Sequence, residues 1–365
     1  MSPPPKSKAP AWLHAPLYLG IRCAIAGLTT LPLPPVLASV SAAGRWFATR
    51  SMNRRRLARA EANLRVAFPE WDEERIRRVA LDSYEHLFRL GVESCFGPRL
   101  VNDDSWARHF RVDGLGKALG ELVKPGPVIL LTGHCGNWEL LGASVAMLGV
   151  PMHAVYRPLD LPPLDRYVHR TRRRRGLVLL DKFGAVKEMP GIIESGAPLG
   201  IVADQNGGDR GVFVPFFNRL AASYKSIGLL AMRYDARVLC AMARRVEAKE
   251  RQSADELGYA IEFVDSFGPE DWSTQPDPLF YLTARYRRAI ETMIRLAPSQ
   301  YLWMHRTWRS RMRHERAGRE FPRALEEKLW TLPWMTEADM AAIKANSAKD
   351  TEELRRLGAR KLSME

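Results

Sequence analysis

From residue 105 onward the chain alternates short apolar runs with segments of helical periodicity. Apolar stretches at 128–132, 152–156, 177–180, 198–203, 237–243 and 259–264 predict strands, and the intervening segments 137–149, 162–175, 184–195, 224–235 and 277–297 space their apolar residues as helices do. Strand and helix in alternation predict an α/β fold, with a mixed central sheet flanked by helices. Residues 51–98 carry a different pattern. Leu57, Ala60, Leu64 and Ala67, then Ile76, Val79, Ala80, Ser83, Leu87 and Leu90 beyond a break at Pro69, mark two amphipathic helices with strongly charged outer faces. Such a pair is expected to pack on the domain rather than to touch substrate. The tail Phe321–Glu365 repeats the helical signal at Leu325, Leu329, Leu332, Met340 and Ile343, with high charge and no recognisable chemistry.

The amino-terminal stretch 16–48 is apolar but broken by Arg22 and by Pro32, Pro34 and Pro35. Its uninterrupted part, Cys23–Leu31, falls short of the roughly 20 apolar residues of a spanning helix. Two short helices inserted shallowly into a membrane surface are therefore expected. The basic residues that follow (Arg45, Arg50, Arg54, Arg55, Arg56) would face anionic headgroups, each contributing about 1 kcal/mol near the surface. Competing readings are a signal peptide cleaved among Ala38–Ala43, a buried hairpin, or one transmembrane helix. The expected organisation is a membrane-associating region at 1–50, a catalytic domain at 51–315 and a helical tail at 316–365.

Charge and cysteine usage narrow the choice of partner. The 55 Lys and Arg outnumber the 41 Asp and Glu, a formal charge of +14, which favours an anionic partner. Neither a helix-turn-helix, an RRM nor a zinc signature accompanies that charge, so a phospholipid surface or phosphorylated substrate is expected and nucleic acid is not. The run Thr171–Arg175 reads as a solvated or membrane-facing surface. Cys23, Cys95, Cys135 and Cys240 are scattered without a CxxC pair, so neither a zinc cluster nor a disulfide framework is expected. No Walker loop or dinucleotide-binding glycine pattern occurs, and no cofactor or metal is expected.

The chemistry concentrates in residues 126–149, GPVILLTGHCGNWELLGASVAMLG, which read as strand, turn and helix. This pattern puts His134 just past a strand end and Glu139 in the first helical turn, where its side chain can fold back toward the imidazole. Open α/β sheets bind ligands at this edge, and helix-terminal amides there suit a developing oxyanion. A hydroxyl is a poor nucleophile until a base removes its proton. A histidine does so best when a carboxylate fixes its tautomer and stabilises the imidazolium. With 8 His and 41 acidic residues, about one His-x4-acid match would arise by chance, so the strand–turn–helix setting carries the assignment of His134 as base and Glu139 as its orienting carboxylate. Cys135 as a thiol nucleophile is the weaker alternative, since neighbours on an extended turn point in different directions.

At GHCGNWELLG the sequence resembles the lipid A biosynthesis acyltransferase family, the late lauroyl and myristoyl transferases, and their relatives that acylate phosphatidylinositol mannosides. Tyr156, Arg157 and Pro158 in VYRPLD, the segment ADQNGGDRGVFVPFFN (Ala203–Asn218), QYLWMHRTWRSR (Gln300–Arg311) and ANLRVAFPE (Ala62–Glu70) resemble further segments of that family, so the likeness spans about residues 16–313. It implies a glycerolipid-acyltransferase-like fold and transfer of a fatty acyl group from acyl carrier protein or coenzyme A to a hydroxyl of a membrane lipid such as a lipid A precursor. It also implies attachment at the cytoplasmic face of the inner membrane, peripheral or monotopic. Carried over by residue, His134 and Glu139 are the catalytic pair, and Asn137 and Trp138 shape the turn. Arg157, Asp204 and Gln205 would line the substrate site, with Phe213 and Phe216 guiding an acyl chain. An ion pair of Arg157 with Asp160, a plain core strand at Phe213–Phe217, and packing roles for His305 and Arg306 are the bland counterparts. The glycine-rich NGGDRG after Gln205 and the long tail depart from the family and leave the acceptor open, a phosphatidylinositol mannoside or an aminolipid included. A catalytically idle lipid-binding module is the alternative from another class.

Overall fold

A computed structural model describes residues 10–358, apart from 103, 113–115, 117–119, 123, 148, 151, 174–175, 183, 252 and 254. The first nine residues, the end of the Thr171–Arg175 run and the last seven residues lie outside that description.

Among the described residues, seven strands form one sheet in the order β1-β9-β8-β2-β5-β3-β4. They are β1 (Phe110–Val112), β2 (Val128–Thr132), β3 (Met152–Tyr156), β4 (Leu177–Asp181), β5 (Leu199–Val202), β8 (Arg237–Arg245) and β9 (Tyr259–Phe267). Neighbours run parallel except β8 and β9, so the sheet is mixed, as the apolar runs predict. The central strand β2 is buried throughout, which is why it reads as a continuous apolar run rather than an alternation. Its side chains still divide by parity. Ile129 and Leu131 join one core with Leu199, Val238, Cys240 and the helix Pro278–Leu296, whereas Val128 and Leu130 join a second with Leu239, Ala241 and the helix Trp138–Met147.

Two further strands among the described residues fall outside the sheet. β6 (Val212–Phe216) and β7 (Arg219–Ser223) form an antiparallel hairpin that packs on the helix Pro278–Leu296. Its two-residue turn is Phe217–Asn218, with φ of 50° and 51°. A bulky residue is rarely found in that left-handed conformation. Here the Phe217 amide donates to Glu291 Oε2 at 2.6 Å, and the ring packs against Phe68 and Trp303.

The two charged helices are Arg54–Ala67 and Glu73–Leu100, the second opened by Asp72, whose carboxylate accepts from the Arg75 amide at 2.7 Å. Their apolar faces pack on the domain, with Leu57, Leu64, Ile76 and Ala80 in the first core. Ahead of them, helices His14–Thr30 and Leu33–Ala48 meet at the proline-marked break. The second buries Leu33, Val36 and Leu37 on the domain; the first buries none of its residues. Ala11–Thr30 is long and apolar enough to cross a membrane. Arg22, the charge inside that stretch, stacks over the Tyr167 ring at 3.8 Å.

The tail docks on the domain through helices Arg323–Trp330 and Glu337–Leu357. Leu329, Leu332, Met340 and Ile343 enter the main core. Asp350 is buried between two guanidiniums, 2.9 Å from Arg219 Nε and 2.5 Å from Arg311 Nη2.

Candidate active site

β2 and β5 are adjacent and parallel, with Thr132 opposite Val202 and the Ala203 amide donating to the Thr132 carbonyl at 2.8 Å. His134 and Asp204 each stand two residues beyond those strand ends, so the sheet's own spacing of about 4.8 Å delivers them side by side. His134 Nδ1 lies 2.7 Å from Asp204 Oδ1. An ionised carboxylate only accepts, so Nδ1 donates and Nε2 carries the lone pair. Asp204 is fully buried, which by itself would raise its pKa, but the imidazole beside it holds the carboxyl well below the usual range.

This placement corrects the expected pairing. The carboxylate against His134 is Asp204, brought by a neighbouring strand. Glu139, in the first turn of the helix Trp138–Met147, instead forms an ion pair with Arg172 of the helix Pro162–Arg173. The ring of His134 is flanked edge-on by Trp138 at 4.9 Å and by His305 at 4.7 Å. His305 is thus a site residue for which packing alone was expected. The segment QYLWMHR, singled out by resemblance, was the only signal that could have found it. Burial foremost, with the neighbouring His134, pushes His305 down to about 4, so its ring is neutral around pH 7.

The turn between His134 and Asn137 is held on every side. The His134 carbonyl accepts from the Leu302 amide at 3.1 Å, and Gly136 N donates to the Gln300 carbonyl at 2.9 Å. Asn137 N donates to the Ala243 carbonyl at 2.8 Å. Gly136 adopts a φ of 58°, and a Cβ there would stand 2.1 Å from the Ala243 carbonyl oxygen, so only glycine fits. Asn137 is fully buried; its Oδ1 accepts from the Leu140 amide at 3.0 Å, so it caps the helix rather than facing substrate. Among the described residues, the first-turn amides of Trp138 and Glu139 have no such partner.

A cavity of about 660 Å³ opens over the pair, lined by His134, Trp138, Glu139, Tyr156, Arg157, Arg172, Lys182 and Gln205 with apolar residues that include Val202 and Leu230. Arg157 sits at its exposed rim, 3.7 Å from Asp160, which is the ion pair expected as its structural alternative. A second cavity of about 170 Å³, whose lining includes Ile25, Leu140, Ala143, Leu164 and Leu177, shares Glu139, Val168 and Arg172 with the first. Phe213 and Phe216 line neither. They belong to the hairpin, where Phe216 is fully buried beneath the Arg287 guanidinium at 3.9 Å and Phe213 packs on the same core. The guiding role expected of them is therefore corrected to packing.

Donor atoms of His134, Asp204 and His305 lie within 4.8 Å of one another, a grouping that could hold a divalent ion. With ligand bonds of about 2.0–2.2 Å, an ion shared by His134 Nδ1 and Asp204 Oδ1 would have to break their direct bond. Cys135 is fully buried beside His134, and burial, with the charge of Asp204, pushes its thiol up to about 12. That makes it a poor nucleophile.

The family profile for "Bacterial lipid A biosynthesis acyltransferase" matches residues 6–310. A lipid A biosynthesis lauroyltransferase of Escherichia coli K12 is 28% identical over 263 residues, covering 71% of this chain and 80% of that protein. A palmitoleoyltransferase of the same organism is 26% identical over 262 residues, with 71% and 80% covered. A lipid A biosynthesis acyltransferase of Haemophilus influenzae is 26% identical over 307 residues, with 82% and 90% covered. Among solved structures, the 1-acyl-sn-glycerophosphate acyltransferase of Thermotoga maritima matches 65% of this chain and 94% of its own at 13% identity and a TM-score of 0.32.

Proposed function

Because the chain belongs to the bacterial lipid A biosynthesis acyltransferase family and is an acyltransferase, we propose that it moves a fatty acyl group from a thioester, on acyl carrier protein or coenzyme A, to a hydroxyl of a lipid A precursor. His134 is the general base and Asp204 its partner. The observation that carries this reading is the 2.7 Å bond between His134 Nδ1 and buried Asp204 at the floor of the larger cavity. With Nδ1–H committed to Asp204, Nε2 takes the proton of the acceptor hydroxyl as its oxygen attacks the thioester carbonyl. The tetrahedral oxyanion is held by the first-turn amides of Trp138 and Glu139. When it collapses, the carbon–sulfur bond breaks and the imidazolium returns the proton to the departing thiolate. The products are an ester and a free thiol, and no covalent enzyme intermediate is needed.

The surroundings support the substrate class. Arg157, Arg172 and Lys182 give the larger cavity a cationic wall suited to phosphate on donor or acceptor. The smaller apolar cavity suits the hydrocarbon chain, and the unburied helix His14–Thr30 beside it supplies membrane attachment. An idle lipid-binding module gives no reason for an imidazole oriented by a buried carboxylate at a cavity wall. Replacing His134 by Ala should abolish transfer of radiolabelled acyl groups into lipid while circular dichroism stays unchanged. Full residual turnover would refute the assignment of the base.

A further inference from the structure

Three of the four bonds that fix the His134 turn come from backbone that the sheet and the Gln300–Leu302 segment hold in place. The fourth comes from a side chain: His86 Nε2 lies 3.0 Å from the Gly136 carbonyl. The other ring nitrogen, Nδ1, is 2.7 Å from Arg245 Nη1. A guanidinium only donates, so Nδ1 accepts, Nε2 bears the hydrogen, and His86 is locked as a donor to the turn.

Arg245 ends β8 and is itself clamped. Its Nη2 and Nε reach Glu93 Oε2 and Oε1 at 2.7 and 3.2 Å, and Nη2 also meets the Tyr259 hydroxyl at 2.7 Å. That hydroxyl donates to Glu93. Asn137 closes the circuit, its Nδ2 lying 3.3 Å from Tyr259 Oη and 3.5 Å from Glu93 Oε2. Glu93, Arg245, Tyr259 and His86 are all buried. One buried ion pair is thereby wired to both ends of the turn, at Gly136 and at Asn137. A buried pair of this kind is often no more stabilising than apolar residues of equal volume, so stability alone is a weak reason for it.

We infer that His86, Arg245, Glu93 and Tyr259 are positioning residues of the acyl transfer: they hold the turn in the one placement that sets His134 against Asp204, and none of them touches substrate. This rests on His134 being the base. Outer hydrogen-bond partners of metal-ligating side chains are commonly worth about 10- to 100-fold, and the same order is expected where such partners hold the turn that carries a reacting imidazole.

The test is steady-state acyl transfer by the purified full chain in detergent as a function of pH, with His86→Leu, His86→Gln, Tyr259→Phe and His134→Ala compared. His86→Leu should lower kcat by about 10-fold or more, leave KM nearly unchanged and shift the acid limb of the kcat profile, because the bond between His134 and Asp204 loosens. His86→Gln, whose amide can still donate to the Gly136 carbonyl, should recover most of that loss. Tyr259→Phe should lower kcat several-fold at unchanged KM; with His86→Gln it decides the matter if His86→Leu fails to fold. Wild-type kcat in His86→Leu or Tyr259→Phe beside an inactive His134→Ala overturns the inference alone. So does a loss in His86→Leu that His86→Gln fails to rescue. An active His134→Ala removes the base, and the inference with it.

Discussion

Asp204→Asn separates the two carboxylates that could serve His134. The substitution keeps the volume and removes the charge. In the wild type the Nδ1–Oδ1 distance of 2.7 Å puts the charge centres of imidazolium and carboxylate about 4 Å apart, which at an effective dielectric near 20 is worth about 4 kcal/mol. That stabilisation develops only as His134 takes the proton, so it acts on the transition state. At about 1.4 kcal/mol per decade, kcat should fall about 1,000-fold. An asparagine that turns its amide toward Nδ1 would also select the wrong tautomer and deepen the loss. Glu139→Gln breaks an ion pair whose side chains are 27% and 26% exposed, and such a pair is worth about 1 kcal/mol or less. Its rate should fall by less than about tenfold. Both variants are to be measured by transfer of a radiolabelled acyl group from thioester to lipid acceptor, with KM for each substrate. If Glu139→Gln loses more kcat than Asp204→Asn, or Asp204→Asn keeps more than about a tenth of the rate, the electrostatic reasoning fails.

Two further outcomes follow from the charges around the site. Burial and His134 hold His305 at about 4, while an unfolded histidine titrates near 6.5. Between those values the unfolded chain binds more protons, so stability falls as pH drops from about 6.5 to about 4, by up to about 3 kcal/mol from this residue; His305→Asn should flatten the dependence in urea melts, and an unaltered slope would contradict it. Asp350→Ala removes the carboxylate shared by Arg219 and Arg311 and should cost about 3 kcal/mol or more, seen as a fall of several degrees in melting temperature; an unchanged melt would show that the tail adds nothing to the domain.

Much of the sheet was legible because its strands read as apolar runs: the ranges 128–132 and 152–156 coincide with β2, buried throughout, and with β3, buried at Met152 and half-buried beyond it. The strand–turn–helix around His134 was legible for the same reason. What could not be read was which strand lies beside β2. β5 arrives from about 70 residues away and inserts between β2 and β3, so Asp204 reaches His134 through strand order, whereas Glu139 is near only in sequence. Local spacing favoured the nearer acid. The hairpin escaped for another reason: its turn is Phe217–Asn218, without the glycine that normally marks such a turn, and tertiary contacts from Glu291 and Phe68 impose the conformation. Its continuous apolar block, Val212–Phe217, fits an acyl-chain lining and a core strand equally well, and in the structure Phe213 and Phe216 are core. β1, of three residues, is too short to leave a period.

The seam between the His134 turn and the Gln300–Leu302 segment also sets an order of events. The carbonyl of His134, the bridge from Cys135 to Tyr301 and the amide of Gly136 all wait on residues some 165 positions downstream. During synthesis the amino-terminal helices emerge first. The apolar helix His14–Thr30 is therefore made before the distant segment exists to close the turn. Under the proposed function, attachment precedes competence, and His134 takes up its place only once residues as far as Leu302 have been made.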